Sequence, residues 1–289
     1  MPQLALLLTT FIWGATFPAT KAVLEQIPPL SFLFLRFFIG TLCSLAMLTL
    51  MRKALRWDRR TLTRSAIATG WLFLGYVLQT VGLQYTSASN SAFVTALYVV
   101  FVPLLLGRFQ PRIWLSAALA LVGLWCLINP TVLLNFGDVL TLGCAVAFAA
   151  HIACLESYSR EGDPRSFFVW QMILMSSILL PTMWLESPQE GAFSPTVLLV
   201  MGLTITGVFA TGAFAVQVWA QRLVPAQRVA LIFSLEPAYA AWLAWYFLGE
   251  QMNARGLLGS AIILAAVVIG AIAPEVEKVA ESVESPAAS

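Results

Sequence analysis

Glu236 stands inside an apolar run, IFSLEPAYAAWLAWYFL, and is followed at once by Pro237. A carboxyl at that depth is costly in hydrocarbon, so it must face a partner or a cavity. It can hold a substrate ammonium, accept a proton, or hydrogen-bond across helices and tie parts of the chain together. Pro237 lacks an N–H and its ring crowds the preceding turn, which predicts a bend and a freed carbonyl near Phe233. His151 is the one histidine. Its imidazole can relay protons near neutral pH, and a lone histidine on an apolar helix can equally be a satisfied packing residue. One histidine without cysteine pairs assembles no metal site, and no cofactor motif is present.

Gln79 and Gln217 are uncharged donors and acceptors within apolar runs, able to bracket a cavity or to act as interhelical glue. Tyr98, Tyr239, Trp13 and Thr16 complete the candidate set, with Tyr239 about one helical turn beyond Glu236. Aromatic walls with a few polar anchors suit an amphipathic amino acid or a planar cation. Trp114, Trp184 and Trp245 read instead as interfacial belt residues. Arg36, Lys21 and Glu25 read as snorkelling or ion-paired groups near one membrane face, or as a gate there.

The elements that position these groups are ten apolar runs, near 4–24, 30–51, 66–84, 92–107, 113–129, 138–157, 166–185, 196–219, 228–248 and 256–274. Hydrophobic residues are 60% of the chain and charged ones 10%, and about 20 apolar residues cross a bilayer as a helix. The alternating short strands of a barrel are absent. The expectation is an all-α polytopic membrane protein with ten transmembrane helices. Residues 1–10 carry no basic group, so the first run is a span rather than a signal peptide. Cys43, Cys126, Cys144 and Cys154 show no C-x-x-C spacing and read as packing residues.

With the N-terminus inside, every lysine and arginine except Lys21, Arg36 and Arg255 falls on cytoplasmic segments, the pattern of the positive-inside rule. Both termini are then expected in the cytoplasm. The loop RKALRWDRRTLTR (52–64) reads as a topology signal against anionic headgroups, not as a nucleic-acid site. The tail EVEKVAESVESPAAS (275–289) is polar and predicts disorder.

The chain also repeats. A shift of 135 places Pro29 on Pro164, Ser31 on Ser166, Thr16 on His151 and Lys21 on Glu156; a shift of 138 places Gln79 on Gln217, Ala88 on Ala226 and Tyr98 on Glu236. Five spans per half is an odd number, so the second half enters the membrane from the opposite side. That is a 5+5 inverted-topology repeat, and two halves that exchange conformations give alternating access.

On these residues the chain resembles the drug/metabolite transporter superfamily, specifically its ten-span carriers with two EamA domains. The strongest pieces are WGATFPATKAVLEQIPPLSFLFLRF (13–37), GLQYTSASNSAFVTALYVVFVPLLLG (82–107) and LIFSLEPAYAAWLAWYFLGEQMNARGLLGSAIILAAVVIG (231–270). They include Trp13-Gly14, the Pro29-x(6)-Arg36 spacing and Leu-Glu-Pro with Leu-Gly-Glu in span nine. The resemblance implies one repeat over 1–130, a second over 136–274, and an inner-membrane secondary carrier of small metabolites, commonly an exporter of amino acids. The first copy departs from the pattern at LLLGRFQPR (104–112), leaving the anchoring glutamate only at Glu250.

The expected partners are a small-molecule solute and the lipid bilayer. Spans one, three, four, six, eight and nine should line a central cavity through Trp13, Thr16, Gln79, Tyr98, His151, Gln217, Glu236 and Tyr239. Drug or organic-cation transport and lysolipid translocation keep the same fold; the lysolipid reading predicts a lateral opening. No Walker-type loop is present, so ATP is not the driver, and uniport and proton coupling through Glu236 or His151 both stay open. A membrane-embedded enzyme would need H-E-x-x-H, paired aspartates or a Ser/His dyad. None is present: Asp58, Asp138 and Asp163 lie near loops or span ends.

Overall fold

The computed structural model describes residues 1–128, 135–186, 191–249 and 254–271. Glu250, Lys278 and the 275–289 tail lie outside the described residues. Among the described residues there are ten helices and no strand: α1 (Pro2–Val23), α2 (Pro29–Leu50), α3 (Arg59–Gly82), α4 (Ala88–Leu105), α5 (Pro111–Ile128), α6 (Phe136–Arg160), α7 (Pro164–Leu185), α8 (Val197–Ala220), α9 (Ala226–Leu248) and α10 (Ala254–Ala271). Seven of them are apolar and long enough to span a membrane by composition alone. α1 falls outside that set because it carries Thr9, Thr10, Thr16, Thr20 and Lys21, and α5 and α10 have shorter apolar stretches.

Start signals fix the boundaries. Pro29 and Pro164 occupy the first turns of α2 and α7, where a missing N–H costs nothing. Asn135 and Asp138 form a reciprocal capping box on α6. Asp58 accepts from the Thr61 N–H at 2.8 Å, which holds its carboxyl below the usual carboxylate range. That cap starts α3 at Arg59, seven residues before the apolar run, so much of the basic loop is helical. Arg60 and Arg64 from this extension both pair with Glu161 beyond α6, and the two cations hold its carboxyl low as well.

The repeat is written in the backbone. Leu97 N–H reaches Val94 O and Val100 N–H reaches Leu97 O; 138 residues later, Leu235 N–H reaches Ile232 O and Ala238 N–H reaches Leu235 O. Both α4 and α9 are therefore broken at the same place. The turns that precede them match equally: Leu83 and Gln84 bond to Gln79 and Val81, as Gln221 and Arg222 bond to Gln217 and Trp219.

Packing follows the same relation. α1 lies mainly against α8 and α9, and α6 against α3 and α4, so the first helix of each half is held by the third and fourth of the other. α2 pairs with α7 and α5 with α10. Ser31 meets Glu186 while Thr41 meets Ser176, and Gly123 lies beside Gly259 while Gly270 lies beside Ser116, which makes both pairs antiparallel. In contrast, Asn90 meets Asp138 and Arg108 meets Glu156, so α4 and α6 run parallel. Five crossings in each half and this reciprocal exchange give the inverted repeat.

Candidate functional site

The two helix breaks set the geometry of the centre. The second segment of α4 starts at Tyr98 and that of α9 at Glu236, so two helix N-termini, with their positive ends, open at the middle of the bundle. Pro237 at the start of its segment cannot donate to Phe233, which accounts for the break in α9; α4 breaks at Leu97 without a proline there. Tyr98 and Glu236 occupy equivalent positions, and equivalent positions beside a two-fold axis meet. The Tyr98 hydroxyl donates to Glu236 Oε2 at 2.9 Å, with both residues buried.

Around this pair is a cavity of about 40 Å³, lined from α1, α3, α4, α6, α8 and α9. A water needs roughly 10–15 Å³ measured in the same way, so the cavity holds a few waters and no organic solute. Seven of the eight residues singled out from sequence line it: Trp13, Thr16, Gln79, Tyr98, His151, Gln217 and Glu236. Tyr239 does not. Its Cβ is drawn against α1, where a Cβ on Gly14 would lie 2.7 Å away, and its ring packs edge-on to Phe11 at 5.4 Å. Three residues beyond Glu236 turns a helix about 60° off the cavity direction.

The polar lining is partly spoken for. Gln79 Nε2 donates to Thr95 Oγ1 at 3.2 Å, joining α3 to α4. Gln217 Nε2 donates to Gln221 Oε1 at 2.8 Å, and Gln221 passes the chain on to the Ile152 carbonyl. His151 Nε2 donates to Gln171 Oε1 at 3.0 Å, out of the cavity and toward α7. Thr16 bonds back to the Trp13 carbonyl at 2.7 Å. Among the described residues two atoms of the lining have no partner: the Trp13 indole N–H and the Gln217 carbonyl oxygen. One is a donor, the other an acceptor. Unpaired buried polar atoms are costly, and a solute with complementary groups satisfies both.

Sequence reasoning missed Leu72, Tyr76, Thr95, Phe148, Ile152, Phe214 and Phe233. A signal for five of them was present. Each lining helix contributes a polar residue and another residue three positions earlier, on the same helical face: Trp13/Thr16, Tyr76/Gln79, Thr95/Tyr98, Phe148/His151, Phe214/Gln217 and Phe233/Glu236. All the earlier members except Thr95 are aromatic.

Polar contacts join the helices toward both ends of the bundle. At the basic end, Glu156 accepts from Arg108 Nη1 at 2.8 Å and from the Ala226 N–H at 3.1 Å, with Arg160 at 3.4 Å. At the other end, Asp138 accepts from Thr86 at 2.9 Å and from Asn90, and Lys21 donates to the Leu83 and Thr86 carbonyls at 2.6 and 2.8 Å. Lys21 is bound there and not to Glu25. Nor does Arg36 snorkel: it is 5% exposed, its Nη2 3.0 Å from the Tyr76 hydroxyl.

Inverted halves, broken helices at the seam and a central cavity are features of membrane transporters built from inverted repeats. Residues 1–129 and 135–271 match the EamA-like transporter family, and the chain belongs to that family. It is a multi-pass membrane transporter and not an enzyme. An Archaeoglobus fulgidus protein described as an uncharacterized transporter is 34% identical over 92% of this chain and 84% of its own length. YoaV of Bacillus subtilis, an uncharacterized transporter, is 24% identical over 90% of this chain and 93% of its own. YhbE of Escherichia coli, an uncharacterized inner membrane transporter, is 26% identical over 92% and 89%. A solved crystal structure shares the fold at TM-score 0.74 and 16% identity, over 94% of this chain and 98% of its own.

Proposed function

We propose that this transporter exports small amphipathic amino acids, aromatic ones among them, across a bacterial-type inner membrane by alternating access. The observation that carries the reading is the buried Glu236 carboxyl, bonded to Tyr98 and facing a compartment walled by Trp13, Tyr76, Phe148, Phe214 and Phe233. A carboxylate fixed at the open end of a half-helix can take an ammonium group, while ring faces take an apolar side chain. Trp13 Nε1 and the Gln217 carbonyl oxygen supply the remaining donor and acceptor. Thr16, Gln79 and His151 shape the walls.

The ends that open are those now closed by Glu156 with Arg108 and by Asp138 with Asn90. In this reading the basic end is cytoplasmic, in line with the positive-inside rule, and both termini lie on that side. The description of YhbE as an inner membrane transporter supports the location. The test is flux in proteoliposomes holding the purified protein, against amino acids, polyamines, purines and organic cations. Neutral amphipathic amino acids are expected to move fastest. Failure of every amino acid while organic cations move would overturn the substrate class.

A further inference from the structure

Arg36 lies on α2, which contributes nothing to the cavity wall, yet it stands directly behind that wall. Its guanidinium carbon sits 4.4 Å from the centroid of the Tyr76 ring and 5.4 Å from that of Phe37. Among the described residues its hydrogen bond runs to the Tyr76 hydroxyl. No carboxylate pairs with it among the described residues. Tyr76 itself lines the cavity, so a single ring separates this cation from the compartment.

A guanidinium has five N–H donors in a planar fork that matches a carboxylate. Among the described residues a single phenol accepts from it, a small share of that capacity, and charges inside a membrane protein are ordinarily paired. The ring contact offsets part of this deficit. A rotation of Tyr76 about its side-chain bonds exchanges the phenol for whatever enters the cavity. The compartment would then present one anion, Glu236, and one cation, Arg36, with aromatic faces around them.

We propose that Arg36 is the carboxylate-binding residue of this carrier, uncovered by Tyr76, so that with Glu236 on the ammonium it selects a zwitterion over a cation or an anion. This rests on the amino-acid reading above and deepens it. The zwitterion arrives neutral overall and leaves neither buried group unpaired. An amino-acid amide carries the same ammonium and side chain but brings a net positive charge beside Arg36.

The experiment compares flux of an amphipathic amino acid, its α-amide and its N-acetyl derivative in proteoliposomes of the wild type, Arg36→Gln and Arg36→Lys. The wild type should move the zwitterion at least about ten-fold faster than either analogue, the size expected for one charge-assisted contact. Arg36→Gln should lower zwitterion flux about ten-fold while amide flux holds or rises, and Arg36→Lys should restore part of the preference. An amide-to-zwitterion ratio unchanged by Arg36→Gln would overturn the assignment while leaving amino-acid transport standing. Where Arg36→Gln does not fold, a wild type that moves amide and zwitterion equally overturns it just as well. If no amino acid moves in the wild type, the amino-acid reading itself fails, and this assignment fails with it.

Discussion

The two halves share individual backbone hydrogen bonds at the breaks of α4 and α9 and the turns before them, and differ at nearly every position that touches the cavity. α4 and α9 break at the same offset, yet one break presents Tyr98 and the other Glu236. Gln79 and Gln217 are equivalent, but the first is spent on Thr95 and the second keeps its carbonyl oxygen unpaired. Thr16 stands where the other half has His151, and Lys21 where it has Glu156. In the proposed alternating access the symmetry serves the motion, with each half adopting the other's conformation. The asymmetry serves the solute, because a symmetric pocket would have to bind a symmetric molecule.

The largest effect should come from the Tyr98–Glu236 pair. Glu236→Gln is expected to lower flux by about a hundred-fold and Tyr98→Phe by about ten-fold, the range for hydrogen bonds to charged groups. Exchanging the two, Tyr98→Glu with Glu236→Tyr, restores the pair across the axis and should recover flux well above Glu236→Gln alone. A folded exchange variant as inactive as Glu236→Gln would mean the two breaks are not interchangeable, with Pro237 the obvious difference.

Next come the ends. Glu156 joins Arg108, Arg160 and the first N–H of α9, so Glu156→Gln removes the carboxylate that ties these groups together. It should open the basic end, seen as faster labelling by an impermeant maleimide of a cysteine placed at Thr16. Lys21 holds only two carbonyls at the other end, and Asp138 continues to bind Asn90 there. Lys21→Met should accordingly shift labelling from the opposite face less than Glu156→Gln shifts it from the basic face. Equal shifts would argue that charge is not what distinguishes the two gates.

The two glutamines separate binding from scaffold. Gln217→Ala removes an unpaired acceptor and is expected to raise KM about five-fold, the scale of one neutral hydrogen bond. Gln79→Ala removes a strut between α3 and α4, so it should lower the melting temperature more than it moves KM. The reverse pattern would reassign the free acceptor to the first half.

Much of this was legible in the sequence because the lipid leaves little choice. Ten apolar runs had to be helices, odd parity forced the inversion, and Glu236 beside Pro237 announced the broken helix. Side-chain direction was harder. Tyr239 was placed on the cavity by counting one turn, but Gly14 lets α1 come close enough to take that face of α9. The aromatic partners three residues before each polar group escaped notice because aromatics are common throughout the chain. Arg36, about two turns below one membrane face, read as a snorkelling or ion-paired group or as part of a gate; the packing of Tyr76 over it shows that it turns inward. The break in α4 had no proline to mark it, and only its match to α9 gives it away.

The smallest effect is expected at the Thr16 and His151 positions, and it bears on energy coupling. Both side chains spend a hydrogen bond on the scaffold, Thr16 on its own helix and His151 on Gln171 of the neighbouring α7. An imidazole whose Nε2 proton is held by an amide oxygen outside the cavity is positioned to pack, and Phe214 covers it with ring centroids 5.5 Å apart. A glutamine keeps a donor for Gln171 and cannot titrate. His151→Gln should therefore reduce flux by no more than about three-fold, within the scale of a neutral hydrogen bond, and leave the response to an imposed pH gradient unchanged. If that response disappears while flux in exchange mode persists, the histidine carries the proton, and the difference from Thr16 is then one of coupling as well as of shape.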